Sequence, residues 1–495
     1  MINRLSPSHV WQALSFALSL LLVAPESSAQ ELKRVPALVH VHSTLSTGVH
    51  SLEHLVSLAK DQGIEAILLT ENFLLRIDYD LFPVRVKVTE YPSVLRMGVD
   101  AYLKEVARVQ SRHPDVLLLP GVEVIPYTYW TGSLLTGDLT HHDLQKNLLV
   151  FGITNPDDLK RLPTLGNPWT GHYEWRSLLL LTPALLVLAG LWLFLKPARR
   201  ANRMGRFVVV QVRRHWVSGG ALTALGLLGL ISNYPYAIDP LASYGANATL
   251  VPHQALIDYV RARGGVTIWS LPEAADRSSH SLFGLTVRAQ TDPYPDDLIK
   301  TDRYTAFGAV YDQATRLPVP GERWDYLLEK FLGRQREVPG WAIGEAAYHS
   351  ASAGKRLGGI QTVFWVEEKS PAGVLESLRR GRFYALRKAS APLVLEEWSV
   401  VQSNRAAISG DRLRATGTGP IEVRMAVAAA DGSQLPVRLT LIRGSELAGV
   451  WSGKTPFRMN FKDPVAPARG YYRLEVRGPS PNRILTNPIF VEREN

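Results

Sequence analysis

The chain has 495 residues, 46% apolar and 20% charged, which allows two or three domains with ordinary cores and excludes a polytopic membrane protein. The formal charge is +10, but seven cations (Lys196, Arg199, Arg200, Arg203, Arg206, Arg213 and Arg214) crowd one short segment; taking those seven from ten leaves +3, too little to argue for a nucleic-acid partner. Cysteine is absent, which excludes Cys-ligated zinc, iron–sulfur clusters and thiol nucleophiles.

In chain order, residues 1–29 read as a secretory signal peptide. Arg4 gives a short basic region, Trp11–Ala24 is apolar, and Ser27 and Ala29 place small residues before a cut at Gln30. An uncleaved N-terminal anchor is the alternative. Next comes Ala37-Leu38-Val39-His40-Val41-His42, then a helical pattern over Ser51–Gln62, then the apolar run Ile64–Leu69 ending in Thr70-Glu71-Asn72. That is a β-α-β pattern, and strand alternation predicts His40 and His42 on one face, within reach of one metal.

Ser177–Leu195 is nineteen residues without a charge, long enough to span a bilayer even with Pro183 inside it. Trp216–Ser232 is a shorter, glycine-rich second candidate, with a buried core helix as its alternative reading. Asn233-Tyr234-Pro235-Tyr236 supplies an aromatic edge. The seven cations fall in the connection 196–215, expected to be a basic cytoplasmic loop, because Lys and Arg are retained on that side. Signal and loop charge then agree: residues 30–176 and 233–495 face the periplasm, and the hairpin sits in the inner membrane.

From about Ala391 short β-branched runs alternate with turn signals such as Asp431-Gly432 and Gly478-Pro479, predicting an antiparallel β-sandwich over 391–495.

Taken together, these segments resemble the PHP (polymerase and histidinol phosphatase) superfamily. The opening strand ends in His40-x-His42; Pro120-Gly121-Val122-Glu123 looks like the strand bearing a bridging glutamate. Asn147–Ile153, Gly264–Glu273 and Gly344–His349 look like later ligand-bearing strands, and Ser370–Ala385 like a terminal helix and turn. The resemblance implies an α/β fold: a distorted (β/α)7 barrel in two parts, 30–176 and 233–390, interrupted by the helical hairpin and followed by the sandwich. It also implies ligands at the C-terminal ends of the strands.

The same resemblance implies a phosphoesterase-like hydrolase whose metal cluster is depleted. His40, His42, Glu123 and His349 stand where ligands are expected. Glu71-Asn72 replaces Asp-His, Asn147 and Leu271 replace histidines, and Ala347 replaces an aspartate. The surviving His40, His42 and Glu123 form a His₂-carboxylate set suited to one divalent ion, Zn, Mn or Fe. Glu71, His142 and His349 are additional candidates, with Asp143 available to orient the ring of His141 or His142. The expected partners are the inner membrane and a small-molecule phosphoester or envelope component, with no nucleic acid. The alternative function is a non-catalytic PHP-derived binding or scaffolding module.

Overall fold

The computed structural model describes residues 32–494 except 82–83, 134–135, 137, 205, 242–248, 283–284, 352–354 and 418. The expected signal peptide, 1–29, lies outside the described residues.

Seven strand segments carry the first unit of this mixed α/β fold. They are β1 (Lys33–Val41), β2 (Ala66–Leu69, resuming at Glu71–Asn72), β3 (Leu117–Leu119, resuming at Gly121–Val124), β4 (Leu148–Phe151), β5 (Val266–Trp269), β6 (Ala306–Val310) and β7 (Trp341–Gly344). Neighbours in this series hydrogen-bond in sequence order. Beyond β7 the chain returns to β1: Ala346 N–H donates to Val39, Tyr348 N–H to His40, and His42 N–H to Tyr348. The pairings therefore run in a circuit.

Strand β4 is antiparallel to both β3 and β5, whereas the other pairings are parallel. The residue that enters β4, Asn147, consequently lies at the end where its neighbours finish. The antiparallel direction of β4 is thus what brings its first residue to the end where the parallel strands finish.

Helices back this circuit for reasons visible in their sequences. In α1 (Leu52–Asp61) the Ser51 side chain caps the N-terminus by accepting from His54 N–H, and Leu52, Leu55, Val56 and Ala59 form the buried stripe. In α2 (Val99–Arg112) the stripe is Val99, Tyr102, Val106 and Val109, and the Tyr102 hydroxyl donates to the Gly121 carbonyl at 2.7 Å.

The apolar pair is α3 (Pro183–Leu195), preceded by a 3₁₀ segment Trp175–Leu181, and α4 (Trp216–Asn233). Pro183 does not interrupt a long helix; it occupies the first turn of α3, where its missing N–H has no intrahelical partner to lose. The two helices meet on buried Gly190, Gly219, Gly226 and Gly229, while Leu185, Leu188, Leu225, Leu228 and Ile231 are exposed. A Cβ on Gly190 would collide with the Thr223 and Gly219 backbone. Trp175–Leu195 and Trp216–Asn233 are both long and apolar enough to cross a membrane.

The connection expected to be a basic loop is an antiparallel hairpin, Pro197–Met204 with Phe207–Arg214. Its second strand is the run Phe-Val-Val-Val-Gln-Val, whose β-branched residues favour extended pairing.

Beyond α5 (Val251–Ala262) and α6 (Arg323–Leu332), β8 (Ile360–Val366) pairs with the N-terminal half of β1, then α7 (Pro371–Arg380) ends on left-handed Gly381. Strand β9 (Phe383–Arg387) pairs with Arg483–Thr486, so hydrogen bonding is continuous from the first unit into the last hundred residues. There, one sheet holds 393–402, 405–407, 421–429 and 457–463, and the other holds 412–416, 436–454, 469–477 and 483–494. Leu395, Trp398, Val423 and Met425 from the first meet Leu439, Leu441, Leu474 and Val476 from the second in a core of their own. A buried ion pair ties this unit to α6: Arg473 donates from Nε and Nη2 to Asp325 at 2.8 and 2.7 Å.

Candidate metal centre

The expected reason for His40 and His42 converging was strand alternation. The geometry is different. Register shifts between Val39 and Val41, and His40 takes a left-handed backbone with φ 70°, so a bulge aims its ring. His42 lies just past the strand end. Their Nε2 atoms nevertheless meet at 3.1 Å.

Glu123, on the resumed part of β3, reaches both rings: Oε1 is 3.2 Å from His40 Nε2, and Oε2 is 3.3 Å from His42 Nε2. All three side chains are buried. His349 completes the group, since ring nitrogens of His40, His42 and His349 lie within 4.8 Å of one another. Its ring stacks on His42 at 4.0 Å between centroids, and its Nδ1 is 3.1 Å from Thr47 Oγ1. Asn72 Nδ2 donates to that same Thr47 hydroxyl at 2.8 Å, so Asn72 acts on the cluster only through Thr47.

Asn147 contributes from the entrance of β4. Its Nδ2 donates to Glu123 Oε1 at 2.5 Å, while its buried Oδ1 has no hydrogen-bond partner among the described residues. An orphaned acceptor beside two imidazoles and a carboxylate is the donor chemistry a divalent cation satisfies.

The electrostatics divide the cluster: one ring is drawn toward a proton that an ion would have to displace, and one is held neutral. Burial alone would lower the pKa of His40, but Glu123 and then Glu345 raise it to about 9. For Glu123, burial would push the carboxyl up, yet His40 and His42 hold it well below its ordinary range. Burial, assisted by His42, lowers His349 to about 3, so that ring stays neutral with its lone pair available.

Glu71 is brought near but turned elsewhere. Its oxygens accept from Ser43 N–H at 2.8 Å, Ser43 Oγ at 2.5 Å and the Ser46 hydroxyl, which fixes the turn that follows β1. Burial raises its pKa. His142 belongs to a separate small sheet formed with 129–131, 276–282 and 285–291. Its Nε2 is 2.7 Å from Thr131 Oγ1 and its ring stacks on Tyr129. His141 is buried face to face with Trp130, 4.1 Å between centroids. Asp143 orients neither ring; it pairs with Lys146 at 2.9 Å, the nearer opposite charge.

Two residues at the centre escaped the reading of sequence. Glu345 is fully buried, with Oε1 2.6 Å from His40 Nδ1. Ser270 Oγ donates to the same oxygen at 2.5 Å. Both stood within segments that matched ligand-bearing strands, at positions next to those inspected. Leu271 and Ala347, where ligands are missing, both keep a left-handed backbone with φ 43°.

No family model and no curated protein matches the chain. Among solved structures it is similar to a two-domain protein from Bacteroides vulgatus containing a predicted PHP-like metal-dependent phosphoesterase. That match has 12% identity over 90% of each chain, with a TM-score of 0.36. A protein from Bifidobacterium adolescentis assigned as a metal-dependent phosphoesterase is 14% identical over 63% of this chain and 87% of that one, TM-score 0.27. An amidohydrolase from Chromobacterium violaceum, with sulfate bound and no metal, is 12% identical over 64% and 89%, TM-score 0.25.

Proposed function

We propose that the chain is a PHP-type hydrolase of phosphoesters that works with one divalent ion, Zn, Mn or Fe. The observation that carries this reading is the convergence of His40 Nε2 and His42 Nε2, 3.1 Å apart, on the Glu123 carboxylate, whose Oε1 is 3.2 Å from the first nitrogen and whose Oε2 is 3.3 Å from the second. Ligand atoms about 2.0–2.1 Å from a tetrahedral ion lie roughly 3.3 Å apart, so each of these separations suits neighbouring ligands of one such ion. His349 and the orphaned Asn147 Oδ1 stand beside it as further donors.

A bound divalent ion supplies Lewis acidity toward a phosphoryl oxygen and toward water. The protein's own part is to hold the ligands and the substrate. Glu123 is fixed by Asn147 and both histidines, and His349, steadied by Thr47 and kept neutral by burial, offers a free lone pair at the half-open side of the cluster. With Leu271 and Ala347 unable to ligate, a second ion has no ligand set. The circuit of seven strands supports reading the first unit as the distorted (β/α)7 barrel, and the two sheets around their own core support a C-terminal β-sandwich.

The helix pair is read as an inner-membrane anchor that holds the globular units at the periplasmic face. Support comes from its exposed leucines and from aromatic residues at both ends: Tyr173, Trp175 and Tyr234 exposed at one, Trp192 and Trp216 at the other. The cation-rich hairpin between them marks the cytoplasmic side. Because the chain has no cysteine, labelling of Asn202→Cys and Asn404→Cys in intact cells tests this orientation without background. Labelling of Asn404→Cys alone is expected, and the reverse pattern would overturn the topology.

One set of observations favours a binding module instead: Leu271 and Ala347 remove ligands, and His40 is satisfied by carboxylates on both ring nitrogens. Elemental analysis of the detergent-purified protein separates the two readings. About one equivalent of metal, lost in a His40→Ala/His42→Ala variant, is expected for the hydrolase. No metal in either protein after incubation with divalent ions makes the scaffold the better account.

A further inference from the structure

We infer that Glu345 is a positioning residue that fixes the tautomer and aim of His40, so that Nε2 presents its lone pair to the ion site; this rests on the one-ion reading above. The carboxylate is built into the protein interior from three directions. His40 Nδ1 lies 2.6 Å from Oε1, Ser270 Oγ donates to Oε1 at 2.5 Å, and Leu271 N–H donates to Oε2 at 3.0 Å. The residue is fully buried.

A fourth observation is steric. A Cβ at position 308 would run into Glu345 Oε2, so Gly308 on β6 is what leaves room for the carboxylate. A buried carboxylate is costly unless its oxygens are met by donors, and here three donors come from the ends of two strands, β1 and β5. The Leu271 donor itself depends on a left-handed backbone at that residue. Backbone strain, a missing side chain at 308 and a buried charge are all spent on one hydrogen bond to His40. That arrangement has a chemical purpose when the opposite ring nitrogen must be an acceptor: an Nδ1–H held by a carboxylate leaves Nε2 unprotonated and raises its basicity toward a cation.

The test uses full-length protein in detergent with Co²⁺ as the probe, read by titration and by its visible absorption. Wild type is expected to bind about one Co²⁺. Glu345→Leu, which keeps the bulk and removes the acceptor, is expected to weaken binding about 10–100-fold and to alter the absorption bands. Glu345→Gln retains an amide oxygen able to accept from Nδ1–H and should recover part of the affinity. A residue that merely fills the core would lower the melting midpoint in both variants and leave the Co²⁺ spectrum of the folded fraction unchanged. Wild-type affinity and spectrum in Glu345→Leu would overturn the inference while leaving the one-ion reading intact. If the leucine variant does not fold, Glu345→Met, which also keeps bulk and removes the acceptor, takes its place, and a wild-type spectrum and affinity there does the same. A wild type that takes up no Co²⁺ would overturn the one-ion reading, and the role of Glu345 with it.

Discussion

Two close pairs of histidines, His40 with His42 and His141 with His142, meet opposite surroundings. At the end of β1, His40 and His42 are buried with nitrogens facing two carboxylates, two serines and a threonine. In the small sheet at 140–142, His141 is equally buried but neither ring nitrogen has a hydrogen-bond partner among the described residues. His142 has one hydroxyl and an aromatic face. Burial is common to both regions; what differs is whether charge of the opposite sign is brought in with the imidazole. Glu123 and Glu345 draw His40 toward a proton, while burial, with a small push from His142, holds His141 down to about 3. A buried histidine is thus a candidate ligand through the company of carboxylates, and an aromatic filler without it.

The largest effect expected from this contrast comes from Glu123→Ala. It leaves His40 and His42 buried without the carboxylate both face, and it strands the Asn147 amide. Breaking a buried charged pair by removing one member costs about 3–5 kcal/mol. Chemical denaturation of the purified protein should show a loss of that order together with loss of bound metal. A change under about 1 kcal/mol would mean that the histidines are not held by charge, and the two regions would then differ less than their geometry suggests.

A smaller effect separates the regions by pH. The folded pKa of His141 lies near 3 against an ordinary 6.5, so the unfolded chain binds the proton first as pH falls. Its contribution is stabilising above 6.5 and is lost progressively from 6.5 down to about 3. At pH 5 that amounts to about 2 kcal/mol, from 1.36 kcal/mol per unit. His253, buried against Trp269 and also lowered to about 3, adds a parallel loss. His141→Phe should remove one proton's worth of acid sensitivity and leave that of His253. Stability curves of the variant and wild type that run parallel between pH 7 and 5 would show that His141 is solvated or partnered in solution.

Much of this arrangement was legible in the sequence where local rules and tertiary structure agree. Ser51 before an apolar stripe specified α1, and the glycines of 216–232 foretold the close approach of α3 and α4. The site was legible as residue types at strand ends, but not in its workings. A bulge at His40 cannot be read from alternation, since alternation assumes the regular strand that the bulge breaks. Glu345 was hidden because its role depends on Gly308, Ser270 and Leu271, residues 37 to 75 positions away whose meeting is fixed only by the circuit of strands. The basic connection pairs as a hairpin because the β-branched run from Val208 to Val212 favours extended pairing with the arginine-rich strand before it, which charge alone does not reveal. His142 was an additional ligand candidate from its residue type and its place shortly before Asn147. Pairing of 140–142 with 288–290 instead commits that segment to a sheet.

The smallest expected effects concern that residue and its neighbour. His142→Ala removes one hydrogen bond to Thr131 and one stack on Tyr129, together worth about 1–2 kcal/mol of stability. Bound metal and Co²⁺ absorption should be unchanged, because no atom of the cluster is held by His142. His141→Phe at pH 7 should be closer still to neutral: the Trp130 stack survives and two unpartnered nitrogens leave the interior, which offsets the larger ring by about 1 kcal/mol. Loss of metal in His142→Ala would break the comparison at its root. The small sheet would then have to close over the cluster and supply a ligand when an ion binds, and the two histidine pairs would be parts of one centre.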